Sequence, residues 1–403
     1  MRREQPADPR QQAQHRSHES RQHCPHALIL AFAVRRWGAF ATVALGLVGL
    51  ATPAQAQAQS QARAGDELVI PVTAYSTQST NIRATTDGIT ADEEGMAIYP
   101  PTELPAPVNT FTADAPGAQV DVRAQLPDGE WTEWTDTGQL DVPSRTVQVR
   151  LVVAARSEVR SARLRLRHDP ATPKASTRAL TYRVYATREG LVGGKTANGH
   201  IIAQRDHFAA LPSRRGLSPK NSGTYTVRVC AANGRCAWAP VWDVGPWNTR
   251  DDYWNHPRQE WQDLPQGTPQ AQAAFQNDYN AGRDQFGRDV RNPAGIDLGD
   301  GTFWDGLKLT GNAWVTVTYL WTVPGAHGYV RTPGDTLNVR GGTTSSAPVV
   351  GIAGHLAQVR VECETGGEQV TGSQGSTDRW LRIAPGKFVA KAYVSGVAGA
   401  ASC

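Results

Sequence analysis

Asp243 closes an apolar run, Ala239-Pro-Val-Trp242, and is followed by Val244-Gly-Pro246. A carboxyl group set against valine and indole surface loses hydration, which favours its neutral form. Still protonated near neutral pH, it can serve as a general acid on a glycosidic oxygen. The competing reading is a turn residue ahead of Gly-Pro. Most glycosidases set two carboxylates across the scissile bond. Here Asp206, Asp251, Asp252 and Asp297 are the candidates for the second. Trp242, Trp247, Tyr253 and Trp254 crowd the same stretch, where they would bind substrate by stacking on sugars along a groove. No Ser/His/Asp triad, phosphate-cradling glycine loop or dinucleotide fingerprint stands out. Asp278, Asn280, Asp284 and Asp289 hint at a calcium loop, but Arg283 stands where the sharp turn needs glycine. No metal site and no cofactor are therefore expected.

The elements that must position these residues read as strands. Residues 65–168 alternate apolar and polar positions in Leu68 to Val72, Val120 to Ala124, Val147 to Val153 and Ala162 to Arg167, which indicates a β-sandwich. Trp131 and Trp134 in that segment read as core residues rather than a sugar platform. Residues 57–64 and 169–178 are linkers. Residues 179–322 carry runs at Leu180 to Tyr185, Tyr225 to Val229, Trp238 to Trp242 and Ala313 to Trp321, plus two short helices. One helix starts near Thr268-Pro269 and ends before Gly282; the other covers Thr302 to Leu307. The long stretch between Asn248 and Gly295 has the length of a functional loop. Residues 328–395 show short runs split by Gly and Ser, a pattern for a small five- to six-stranded barrel, followed by a tail at 396–403. The expected class is mostly β.

The chain has 403 residues, 19% charged and 7% aromatic, with 12 Trp, enough apolar surface to bury several cores. Its net charge of +4 resides in residues 1–56, leaving a near-neutral remainder that argues against a nucleic-acid partner. Arg35-Arg36, the apolar run Ala39 to Leu50 and Ala54-Gln-Ala56 form a basic region, a hydrophobic region and a cleavage site. Residues 1–56 thus read as a signal peptide with a long n-region, by the general or the twin-arginine route. The apolar run is too short to span a bilayer. The protein is expected to be secreted, extracellular or held at a cell wall, with no stable membrane span after cleavage. Four cysteines follow the signal: Cys230, Cys236, Cys363 and Cys403. Cys230 and Cys236 flank the hairpin signal Asn233-Gly234 and would bond across it. Cys363 with Cys403 would tie the tail to the last domain.

Three motifs, in order, carry a resemblance. Lys195-Thr-Ala-Asn-Gly199, Asp243-Val-Gly-Pro246 and Ile296-Asp-Leu298 resemble motifs of the secreted double-psi β-barrel proteins related to rare lipoprotein A and expansins. That group contains lytic transglycosylases that cleave peptidoglycan glycan strands, and wall-binding proteins without hydrolysis. The resemblance implies Asp243 as catalytic acid, with Asn198 and Asp297 among the substrate contacts. The family glutamate after Asn-Gly is replaced by His200, which could carry a proton instead because its ordinary pKa lies near neutrality. The resemblance implies a partner in peptidoglycan or another wall polysaccharide, bound and cleaved by a transglycosylase, or bound without cleavage in an expansin-like protein. Leu337-Asn-Val-Arg340, the Gly354 to Cys363 strand pair and Lys387 to Val394 resemble the bacterial SH3-like domain of secreted wall proteins, which binds wall peptides.

Overall fold

Alternating valine, isoleucine and leucine build strands throughout the computed structural model, which describes residues 67–73, 76–170 and 179–403. The signal peptide and most of both linkers lie outside the described residues. The N-terminal segment forms a seven-stranded sheet faced by a three-stranded one. One core joins them, with Ile89, Ala91 and Val159 of the small sheet packed with Leu68, Leu151 and Leu164 of the large one. This is the sandwich expected from period-two alternation. Its longest addition to the sequence reading is the strand Thr102–Asp114, which contains Pro105 and Pro107. Its ladder with the Gln139–Val153 strand shifts register between Glu103 and Val108, around the prolines that cannot donate to it.

Six strands close the central barrel. In ring order they are Ala209–Leu211, Ala294–Gly299, Thr181–Glu189, Ala313–Tyr319, Thr226–Cys230 and Cys236–Val244, which pairs back to Ala209–Leu211. Val184, Ala186, Val227, Val229, Val241, Ile296, Leu298 and Val317 fill it. The first expected helix is Gln270–Asn277, with Pro269 at the N-cap rather than inside; left-handed Asp278 ends it. The second is a single π-helical turn at Gly301–Gly306.

The C-terminal strands do not stand apart. Val349–Ala353 adds to the barrel strand Cys236–Val244 in parallel, Cys236 opposite Gly351 and Trp238 opposite Ala353. A Cβ at Gly351 would lie 2.1 Å from the Cys236 carbonyl oxygen, so only glycine permits this junction. The sheet continues through Leu337–Arg340, Lys387–Ala390, Gly375–Ala384 and Cys363–Gly372. Both expected disulfides are present, Cys230–Cys236 and Cys363–Cys403.

Candidate active site

A bulge creates the site. Ala209 pairs with Val241, but the next residue, Ala210, pairs with Asp243, so Trp242 is the extra residue. Without it Asp243 would share the inward face of Ala239 and Val241, both in the barrel core. One added residue turns its side chain to the other face. Ala210 also pairs with Asp297, and Asp297 with Thr187. Glu189, two residues beyond Thr187, lies on the same face of its strand. Three carboxyl groups from three strands thus meet on the outer wall of the barrel.

Each is held differently. Asp243 Oδ1 accepts the backbone N–H groups of Ala197 and Val244, both at 2.8 Å. Asp297 Oδ1 accepts the Thr187 hydroxyl. Glu189 is buried and lies within hydrogen-bonding reach of Asp243, while its Oε2 has no partner. None of the three makes an ion pair among the described residues; nearby Arg188 is taken by Asp300 at 2.6 Å. Burial, then the charge and hydrogen bond of Asp243, then Asp297, push Glu189 up to about 9. Burial also raises Asp243, but the Glu189 bond and the two N–H donors pull against it. Burial raises Asp297 to about 6, Thr187 opposing and Asp243 adding. Glu189 therefore keeps its proton at neutral pH, and of the two it is Asp243 whose N–H donors favour charge.

Other expected site residues fall elsewhere. His200 bonds through Nε2 to Asp206 Oδ2 at 2.7 Å and packs on Trp242, so its ring serves Asp206 rather than Asp243. Asn198 is fully buried; its carbonyl Oδ1 accepts the Thr196 hydroxyl and the His200 N–H, and its amide donates to the Ser218 carbonyl. It frames the loop and offers no atom to a ligand. Trp242 packs against Phe208, Ile202 and Leu356 and donates to the Ser222 carbonyl. Trp247 remains half-buried, bonded to Asn292, and is the aromatic among the four with most surface left. Tyr253 and Trp254 are 0% exposed and cannot stack a sugar. Tyr253 donates to the Gly295 carbonyl, while Trp254 stacks on Tyr319 and donates to Glu133 of the N-terminal domain.

The long loop is a scaffold as well. Asp251 and Asp252 are buried in ion pairs with Arg258 and Arg215, which removes both as second acid. Arg250 and Gln259 reach Asp136 of the N-terminal domain. Polar and aromatic residues that read as groove lining in the sequence instead fasten two domains together. Glu189 was not among the sequence candidates. Its signal was the spacing of Thr187 and Glu189 past the run Leu180 to Tyr185, which looked like the end of a strand. Among the described residues no His, Cys, Asp and Glu group is arranged to hold a metal.

Residues 180–318 match one family model, a domain of unknown function (DUF8814). The match begins one residue before the first barrel strand and ends one residue before the last strand does, so it covers the barrel and the carboxyl cluster. No curated protein matches the chain.

Proposed function

We propose that this is a secreted wall protein whose barrel cleaves peptidoglycan glycan strands by intramolecular transglycosylation. The observation that carries this reading is the Glu189–Asp243 pair, two buried carboxyl groups within hydrogen-bonding reach, of which Asp243 alone accepts backbone N–H groups. Carboxyl groups that straddle a glycosidic bond sit about 5 Å or more apart. Two that share a hydrogen bond cannot straddle it and must act from one side. Glu189 gives its proton to the leaving glycosidic oxygen as the C1–O bond breaks. A hydroxyl of the same sugar forms the new bond to C1 and passes its proton to Asp243. The proton then returns to Glu189 along their hydrogen bond, and no water is consumed. This assigns the acid role to Glu189, with Asp243 as its ionised partner. The order of the three motifs and the closed six-stranded barrel support similarity to the double-psi group, and the two disulfides fit an oxidising compartment.

A non-catalytic wall-binding reading draws on a different feature. A groove of about 500 Å³ lies in the C-terminal domain between Arg331, Arg340, Trp380 and Tyr393. Incubating the protein, Glu189→Gln and Asp243→Asn with peptidoglycan and reading released muropeptides by mass spectrometry separates the two. Anhydro-ended products from the wild type, lost in both variants, support cleavage. Retention on insoluble wall without release from any of the three supports binding alone.

A further inference from the structure

The Ala197 N–H that holds Asp243 comes from a loop, Lys195 to His200, gripped from outside the barrel. The loop is closed on itself by Thr196 N–H to the His200 carbonyl at 2.9 Å and Gly199 N–H to the Thr196 carbonyl at 2.8 Å. Its inner side is tied to the barrel by Asn198 N–H to the Trp242 carbonyl at 3.2 Å. Its outer side faces the N-terminal strand Gln78–Thr80. There the Gln78 amide donates to the Asn198 carbonyl at 3.0 Å, and the Gln78 carbonyl accepts Lys220 N–H at 2.6 Å. One partner can only accept and the other only donate, so the amide has a single orientation. Lys195 reaches Asn81, the next residue but two on that edge. Gly199, at φ +87°, lies so close that a Cβ would come within 2.8 Å of the Thr80 hydroxyl.

We infer that Gln78 is a positioning residue: from the N-terminal sheet it fixes the Lys195–His200 loop so that the Ala197 N–H stays on Asp243. The backbone of Asn198 bridges two domains, with its N–H on the barrel and its carbonyl on Gln78. Releasing Gln78 removes one of the two outer ties and leaves the Lys195–Asn81 contact and the inner bonds in place. The loop is then held less firmly against Asp243, which weakens a donor that favours its charged form. This gives the N-terminal domain a part in the chemistry that its sequence does not suggest. The catalytic consequence rests on the proposed role of the Glu189–Asp243 pair; the structural one does not.

The test therefore reads the loop and the carboxyl directly. Wild type, Gln78→Ala, Gln78→Glu and the neighbouring control Ser79→Ala are labelled with 13C at aspartate carboxyls, and Asp243 is titrated by NMR alongside hydrogen exchange of the Ala197 amide. Both Gln78 variants should raise the Asp243 titration and speed Ala197 exchange about fivefold, the effect of losing one hydrogen bond. Ser79→Ala should do neither. Gln78→Glu keeps the acceptor for Lys220 but, ionised, cannot donate to Asn198, so it answers the question even if Gln78→Ala does not fold. Unchanged Asp243 titration and unchanged Ala197 exchange in a folded Gln78 variant overturn the inference. A wild type that releases no muropeptides, with the Gln78 shift intact, removes the catalytic reading and leaves the positioning role standing.

Discussion

At the scale of single residues, ionisation divides the labour between chemically similar groups. Glu189 Oε2 has no partner, whereas Asp243 accepts two backbone N–H groups. In the proposed cleavage the pair works only with one proton between them, so muropeptide release should decline as pH rises through about 9, where Glu189 empties. Its acid limb follows Asp243, whose raised pKa sets the point where the ionised partner is lost. Glu189→Gln and Asp243→Asn should each lower turnover by roughly 10²–10⁴-fold, the usual worth of one acid–base group, with overall fold retained. A rate unchanged in either variant removes that residue from the chemistry. Asp243 was legible in the sequence because an acid between an apolar run and Gly-Pro is conspicuous. Glu189 was not, since its chemistry depends on a neighbour 54 positions away that only barrel closure supplies. Tyr253 and Trp254 misled for the opposite reason: aromatic clusters in a long polar loop look the same in sequence whether they face a ligand or another domain.

At the scale of elements, the strands with clean alternation were legible and those with compensating irregularities were not. The Thr102–Asp114 strand survives two prolines by shifting register, and Cys363–Gly372 is largely polar and exposed, so neither shows the expected pattern. The bulge at Trp242 is equally invisible in sequence, yet it re-aims Asp243. Disulfides were legible, being set by hairpin and tail spacing. The Cys363–Cys403 bond closes a separation of 40 residues and Cys230–Cys236 one of 6. On loop-closure entropy, losing the first should cost about 4 kcal/mol and losing the second about 2 kcal/mol. The tail reinforces the longer one, since Glu364 N–H bonds to the Ala401 carbonyl and Cys403 N–H to the Glu364 carbonyl. Denaturant unfolding of the two Cys→Ser pairs checks the order; an equal or reversed loss contradicts it.

At the scale of the whole chain, domains that read as beads share cores and charges. Met96, Ile98 and Trp134 of the sandwich belong to the barrel's hydrophobic cluster. Trp134 lies between the Arg123 and Arg150 guanidinium groups, 4.3 and 4.5 Å from the ring centre. Glu130 of the sandwich bonds His327 Nε2 and the Tyr329 hydroxyl of the C-terminal domain, both at 2.6 Å. Gln358 also donates to it. His327 Nδ1 faces the Gly325 carbonyl at 3.1 Å, so both ring nitrogens meet acceptors, the arrangement of an imidazolium. Burial opposes charge on both partners, yet their mutual bond and attraction, with Tyr329, hold His327 above and Glu130 below their ordinary values. Stability from the histidine is full below its unfolded pKa of about 6.5 and fades as pH rises through the raised value. Stability from the glutamate is present above its unfolded pKa and fades as pH falls through the lowered one. The link is therefore strongest between those unfolded values, at about pH 5.5. His327→Ala should cost about 3 kcal/mol there and less at about pH 9. Thermal unfolding at the two pH values checks it, and a larger loss at the alkaline one contradicts the link.

The central claim, that Glu189 and Asp243 share one proton at neutral pH, is met most directly by infrared difference spectroscopy of the wild type against Glu189→Gln. The account expects a protonated-carboxyl stretch in the wild type at pH 7 that is missing in the variant and disappears from the wild type as pH rises through about 9. A neutral-pH difference spectrum showing only the loss of a carboxylate band, with no protonated carboxyl, would contradict it.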